Sequence, residues 1–218
     1  MKQEQTFWFV YYKDQVLIEQ KEDSFHIPIG TEPPIKVPVG STIHNIGELQ
    51  GVPCKTYALH TPISGDEAPI RQMVGLRASF DMLPFEEYYQ AGKAFQILNW
   101  DRNTRYCPAC GVPTKQISDI GKKCPECRQE FYPHISPAII VRIQKEDSIL
   151  MVRAKNFRGT YYGLVAGFLE AGETLEECVH REVMEETGIR IKNLKYFGSQ
   201  PWPYPSGVMI GFTADYES

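Results

Sequence analysis

The chain has no run of apolar residues long enough to cross a bilayer, so a helical membrane protein is not expected. It has no excess of positive charge. Its 23 Lys and Arg stand against 27 Asp and Glu, for a net charge of -4. Overall charge therefore does not favour a polyanion partner, although a local basic patch remains open. The N-terminus is polar and charged ahead of Phe7 and lacks the apolar stretch of a secretory leader. Cysteine is sparse outside one region. Four of the six cysteines form two CxxC pairs, while Cys54 and Cys178 stand apart. That arrangement argues against a secreted disulfide framework and for a metal site in a reducing, cytoplasmic compartment. The remaining composition, 42% hydrophobic and 23% charged over 218 residues, is ordinary globular material, enough for one large or two small domains.

The first part, residues 1–97, reads as a small α+β domain. An aromatic strand candidate at 7–12 returns across a turn at Asp14 into 16–18, and two further strands fit 42–47 and 54–59. Proline and glycine make 26–40 a loop or edge strand. The pairing expected is mostly antiparallel. Residues 85–99, behind an acidic segment with Glu86 and Glu87, carry Tyr88, Ala91, Phe95 and Leu98 at helical intervals. No chemistry is legible in this part by itself.

Residues 98–133 hold the paired cysteines. Cys107, Cys110, Cys124 and Cys127 form two CxxC knuckles that can close a tetrahedral thiolate site around Zn²⁺. Thr114, Lys115 and Gln116, followed by Gly121, suit the hairpin of a zinc ribbon. A redox role needs only one CxxC and is the weaker reading. Four thiolates leave no open coordination position, so this zinc is expected to be structural. Trp100, Arg102, Arg105, Lys122, Lys123 and Arg128 could serve a nucleic-acid interface, and are equally expected on the solvated face of a ribbon too small for its own core.

Residues 134–218 read as strands around one helix. The apolar run 138–143 suits a central strand; 149–153, 161–167, 195–200 and 208–214 are further strand candidates. A mixed sheet with helices packed on it is the layer solution expected. Between two of these strands lies Gly167 to Ile189, where a glycine-rich turn leads into a helix. Thr174 can cap that helix, with Glu177 completing a capping box and Gly188 ending it. At about 100° per residue, Glu182, Glu185 and Glu186 share a narrow arc bordering the apolar one of Leu175, Cys178, Val179 and Val183. An ordinary solvated helix would put its acids opposite the apolar stripe. One divalent cation could reach all three carboxylates, and Arg181 suits bidentate pairing with a glutamate better than a phosphate clamp.

Gly167, Glu173, Arg181, Glu182, Val183, Glu185, Glu186, Gly188 and Ile189 fill every fixed position of a pattern that resembles the Nudix box. The resemblance implies a loop–helix–loop that binds Mg²⁺ or Mn²⁺ and hydrolyses a nucleoside diphosphate linked to another group. It also implies a fold, a Nudix mixed-sheet α/β/α sandwich preceded by the small α+β domain and the four-cysteine zinc ribbon. The segment Ser199-Gln200-Pro201-Trp202-Pro203-Tyr204-Pro205-Ser206 resembles the aromatic–proline array of the NADH pyrophosphatase branch, with tyrosine where phenylalanine is usual. Its alternating prolines are expected to hold an extended loop that presents Trp202 and Tyr204 for stacking.

By that resemblance the substrates are NADH and NAD⁺, with NAD-capped RNA as a further one, and the protein is a homodimer whose active site is built partly at the dimer interface. The resemblance gives Glu182, Glu185, Glu186 and the Ala166 carbonyl to the catalytic metal, with Glu186 favoured as nearest the activated water. It gives Arg77, Asp119, Tyr132, Phe168, Gln200, Pro201, Trp202, Pro203, Tyr204, Pro205, Ser206 and Gly207 to substrate binding. Asp119 stands where glutamate is usual, the least secure of these contacts. Family members continue past the array with a helix that packs on the sheet and another acidic ligand. The C-terminal part of the Nudix fold is therefore expected to be truncated at Ser218, leaving weak or absent activity in this form. Two other readings stay open. One is a Nudix hydrolase of another nucleoside diphosphate, such as ADP-ribose or diadenosine compounds. The other is a nucleic-acid-binding zinc-ribbon protein that keeps the box as scaffold.

Overall fold

The computed structural model describes residues 5–63, 70–153 and 161–218. The chain divides into two compact units, Met1–His134 and Ile135–Ser218. In the first, β1 (Thr6–Tyr12), β2 (Gln15–Lys21), β3 (Ser24–His26), β4 (Ile29–Gly30), β5 (His44–Leu49), β6 (Val52–Ala58) and β7 (Arg71–Gly75) form one sheet. The aromatic β1 is central and almost wholly buried, as its composition predicts. Its pairing with β6 is parallel, from Phe7 opposite Cys54 to Tyr11 opposite Ala58, and departs from the antiparallel expectation. Helix α1 (Phe85–Asn103) outruns the expected 85–99 and buries Ala91, Ala94, Ile97 and Trp100 on one face. Tyr11 reaches it from β1 and donates its hydroxyl to the Ala91 carbonyl at 2.8 Å.

The ribbon belongs to this first unit. Its strands β8 (Lys115–Ser118), β9 (Gly121–Lys123) and β10 (Glu130–Phe131) form a small antiparallel sheet. Two of the basic-face residues expected on its surface are instead buried. Lys122 is 6% exposed and Trp100 4%. The Lys122 ammonium lies 2.6 Å from Asp101 Oδ1 and stacks over the Trp100 ring at 5.2 Å. The ribbon's own buried cluster is small, and Lys122 packs against the end of α1 instead.

On the other side of Asp101 stands His44 Nε2, 3.6 Å from Oδ2, with both ring nitrogens buried and without a hydrogen-bond partner. Burial alone would raise the Asp101 carboxyl, but His44 and the Lys122 ammonium override it and hold the pKa down at about 2. A depressed carboxylate stabilises the fold above its unfolded value, and that contribution is lost as pH falls through the folded one. Unfolding free energies of the parent and Asp101→Asn, measured by denaturant titration, should therefore differ by on the order of 1 kcal/mol above about pH 4, once solvent screening is allowed for, and converge toward about pH 2. A gap that is constant with pH would refute the assignment.

The second unit is a mixed sheet of five strands: β11 (Ser136–Lys145), β12 (Ser148–Ile149), β13 (Val165–Phe168), β14 (Ile191–Trp202) and β15 (Gly207–Tyr216). β11 is central, as its apolar run predicts. It pairs antiparallel with β12 and β13 and parallel with β15, which carries β14 as an edge strand. Helix α2 (Leu175–Thr187) packs on one face and buries Cys178, Val179 and Val183 against Ile139, Val141, Ile143, Val165 and Phe212. On the opposite face Ile140, Leu164, Phe197, Met209 and Gly211 line a cavity of about 400 Å³. The strand expected at 149–153 is shorter. β12 ends at Ile149, and Val152 makes an isolated bridge to Gly163.

Candidate active site

Local chemistry sets helix α2 in place. Thr174 accepts the Glu177 N–H on its side chain, and the Glu177 carboxylate accepts the Thr174 N–H at 2.8 Å, closing the expected capping box. Gly188 ends the helix in the left-handed region at φ 73°, where a side chain would be strained. With both ends defined, the rotation of the helix is fixed. Val183 turns into the core, and Glu182, Glu185 and Glu186 come round beside it.

Arg181 organises that arc. Its Nε and Nη2 donate to the two Glu173 oxygens at 2.7 and 2.9 Å, a bidentate pair across the turn before the helix. Nη1 donates to Glu182 at 2.9 Å and to Glu185 at 3.1 Å, and Nη2 also reaches the Phe168 carbonyl at 3.0 Å. The Arg181 bonds, joined by the Glu170 N–H, hold the Glu173 carboxyl down at about 2. Partial burial and the neighbouring charge of Glu182 push Glu186 the other way, upward. Arg181 thus bonds to Glu173, Glu182 and Glu185 at once. That Glu173 is its main anchor is new.

β13 supplies the second constraint. A Cβ built on Gly167 would fall on the carboxyl group of Glu182. Glycine here leaves a notch in the strand, next to Ala166, in which that carboxylate lies. The obstructing atoms are the far end of a flexible side chain, so Gly167→Ala should leave thermal stability nearly unchanged while displacing Glu182. Mn²⁺ affinity measured by calorimetry is expected to fall about 10- to 100-fold. Unchanged affinity would show that the notch is not needed.

Among the described residues, the four ribbon thiols are the only set of three or more His, Cys, Asp or Glu whose ligand atoms all lie within 4.8 Å of one another. The three box glutamates are not gathered so closely. Cys107 and Cys127 sulfurs are 3.5 Å apart, and Cys110 and Cys124 are 3.4 Å apart. Thiolate–zinc bonds of about 2.3 Å put tetrahedral sulfurs about 3.8 Å apart, so the cluster fits a structural zinc site. The two knuckles turn alike: Gly111 donates to the Cys107 carbonyl and Arg128 to that of Cys124, both at positive φ.

Of the other residues named from the sequence, Arg77, Asp119 and Tyr132 lie in the first unit, and Phe168 and the array in the second. Arg77 leads into the 3-10 turn Ala78–Asp81. Asp119 sits in the β8–β9 turn, with Asn45 Nδ2 at 3.5 Å from its Oδ1. Tyr132 is held at both ends. A Cβ on Gly121 would come within 3.2 Å of its ring, and its hydroxyl donates to Glu130 at 2.9 Å. Phe168 projects an exposed ring from β13.

The first part of the array is extended, as expected, but as part of the sheet and not as a loop. β14 continues through Gln200, Pro201 and Trp202, and a turn over 203–206 delivers the chain to Gly207 of β15. The reason is that β14 is an edge strand, where a proline need not donate to a neighbour. Trp202 and Tyr204 pack edge to face at 5.3 Å, and the Ser206 carbonyl accepts the Ser136 N–H at 2.9 Å, tying the turn to the start of β11.

Comparison with known proteins agrees with this architecture. Residues 133–217 match the NUDIX domain family, 102–132 the NADH pyrophosphatase zinc ribbon domain, and 5–100 the NADH pyrophosphatase-like rudimentary NUDIX domain. The last match was not legible in the sequence, since that part carries no box. The chain is 36% identical over 220 residues to the NAD-capped RNA hydrolase NudC of Shigella dysenteriae, covering 100% of this chain and 79% of that protein. It is 37% identical over 218 residues to the protein of that name from Salmonella heidelberg, with the same coverage. Among solved structures, a NUDIX hydrolase from Nitrosomonas europaea is 25% identical, with a TM-score of 0.45 over 52% of this chain and 68% of that one. The chain belongs to the Nudix hydrolase family, in the branch that carries an NADH pyrophosphatase zinc ribbon.

Proposed function

We propose that this protein hydrolyses the pyrophosphate bond of NADH and NAD⁺ to nicotinamide mononucleotide and AMP, and removes NAD caps from the 5′ ends of RNA. The observation that carries the reading is the Arg181-centred box, with Glu182 in the Gly167 notch, in a chain that aligns over its whole length with NAD-capped RNA hydrolases. Glu182, Glu185 and Glu186, with the Ala166 carbonyl, would hold Mg²⁺ or Mn²⁺; their hard oxygen donors suit either ion. When bound, that cation neutralises the pyrophosphate charge and activates a water.

The chain's own residues do the rest. Arg181 aims the Glu182 and Glu185 carboxylates through its hydrogen bonds, and Glu173 keeps Arg181 in place. Glu186 takes the proton of the attacking water. By the family resemblance, Phe168 and Tyr132, each exposed in its own unit, would contact the dinucleotide's rings. Arg77, Asp119 and residues 200–207 complete substrate binding in a homodimer, by the family resemblance. Arg102 at the end of α1 and Arg105 and Arg128 of the ribbon are exposed and would approach RNA phosphates. The four thiols hold Zn²⁺, in keeping with a reducing cytoplasm.

The test is product analysis on NADH, NAD⁺, ADP-ribose and NAD-capped RNA with Mg²⁺ or Mn²⁺. Release of AMP and nicotinamide mononucleotide from NADH in preference to ADP-ribose cleavage is expected. Cleavage of ADP-ribose alone would overturn the substrate assignment, and tight RNA binding without hydrolysis would overturn the enzyme reading. Light scattering checks the dimer.

A further inference from the structure

A second set of reactive groups lies in the first unit, on none of the residues used above. Ser24 and His26 occupy alternate positions of β3, so both side chains leave the same face of that short edge strand. Ser24 Oγ is 3.0 Å from His26 Nε2. His26 Nδ1 is 2.9 Å from Glu87 Oε1. The other Glu87 oxygen accepts the Ile27 N–H at 2.6 Å, and the residue is 8% exposed. The hydroxyl, the imidazole and the carboxylate thus form a continuous chain running from solvent into the domain.

A strut between a hairpin and a helix would need Glu87 and His26, and the bond to Ile27 serves that purpose. It would not need a hydroxyl on the far nitrogen of the imidazole. A carboxylate held at both oxygens directs Nδ1–H toward itself and leaves Nε2 to accept, which is the relation of orienter, base and nucleophile in hydrolytic triads. The Lys21 carbonyl, 3.1 Å from Ser24 Oγ, is a second acceptor within reach of the same hydroxyl.

We propose that Ser24, His26 and Glu87 form a nucleophilic site that accepts acyl groups from small activated acyl esters. Ser24 Oγ bonds to the acyl carbon while its proton passes to His26 Nε2. The bond from that carbon to the leaving oxygen breaks, and the leaving group takes the proton from His26. Water then repeats the exchange and frees the acid. Glu87, bonded to Nδ1, holds the imidazole in orientation throughout. Ser24 is exposed on an edge strand, so the donor suited to it is small and carries a good leaving group.

The test uses the whole chain with 4-nitrophenyl acetate and, separately, a fluorophosphonate reporter, followed by peptide mapping. Label on Ser24 is expected at least about tenfold faster than on any other serine, and its loss is expected in both Ser24→Ala and His26→Gln. Glu87→Gln should slow it, but that variant also weakens the Ile27 contact. The two surface variants therefore decide the matter, each checked by thermal unfolding. NADH hydrolysis should be unchanged in Ser24→Ala, which separates this site from the box. Label spread over serines and lysines, or indifferent to His26, would overturn the proposal.

Discussion

Glu186→Gln is expected to lower NADH hydrolysis on the order of 10³-fold, the range for losing a positioned general base. The substitution removes a charge but keeps shape and hydrogen-bonding capacity. Glu186 has a solvent-facing side chain at the C-terminal end of α2, and Arg181 binds Glu173, Glu182 and Glu185 instead. Its replacement therefore leaves the Arg181 network intact, and stability should change little. Glu185→Gln provides the contrast. That residue is tied to Arg181 and its side chain is 61% exposed, so its loss should weaken metal affinity more than it slows turnover at saturating metal. Steady-state rates across a metal titration distinguish the two. Equal losses in both variants at saturating metal would remove Glu186 from the place assigned to it.

Removing zinc should have the second large effect, and a different one. The ribbon has almost no core: Cys107, Cys124 and Phe131 are its buried cluster, with Val112 packed against them. Three short strands cannot offset the entropy of ordering residues 107–131 without the metal. Chelation, or Cys124→Ser, is expected to unfold the ribbon. The sheet of the first unit should survive, because its own core of Phe9, Val10, Leu17, Ile18 and Tyr57 is independent of the thiols. Amide exchange would show protection lost over β8 to β10 and retained in β1, β2 and β6. It should also loosen the end of α1, since Lys122 would withdraw from Asp101. Protection of the ribbon that persists without zinc would refute this.

The parts of the molecule legible in its sequence are those whose signals are local. Thr174, Glu177 and Gly188 set the limits of α2 within a turn or two of chain, and the structure has those limits. The cysteine spacing likewise leads directly to the cluster observed. What was missed depends on distant partners. The parallel pairing of β1 with β6 joins segments more than forty residues apart, and nothing in either strand states its direction. Lys122 and Trp100 read as ribbon surface because their burial depends on α1 and on His44 in β5. The array reads as a loop because its prolines disfavour a central strand. Only its place on the edge of the sheet shows why a strand runs through it. Glu173 was visible as a box position, but its bidentate hold on Arg181 follows from the turn that brings it back to the helix.

The central claim is that the box glutamates form a divalent-metal platform on which dinucleotide pyrophosphates are cleaved. Titrating the zinc-loaded protein with Mn²⁺, observed by electron paramagnetic resonance, while AMP release from NADH is followed in the same samples, tests it most directly. Hydrolysis should rise with the bound Mn²⁺ and both should be lost in Glu182→Gln, with zinc content unchanged. Mn²⁺ binding that ignores the loss of Glu182, or AMP release that needs no added cation, would contradict it.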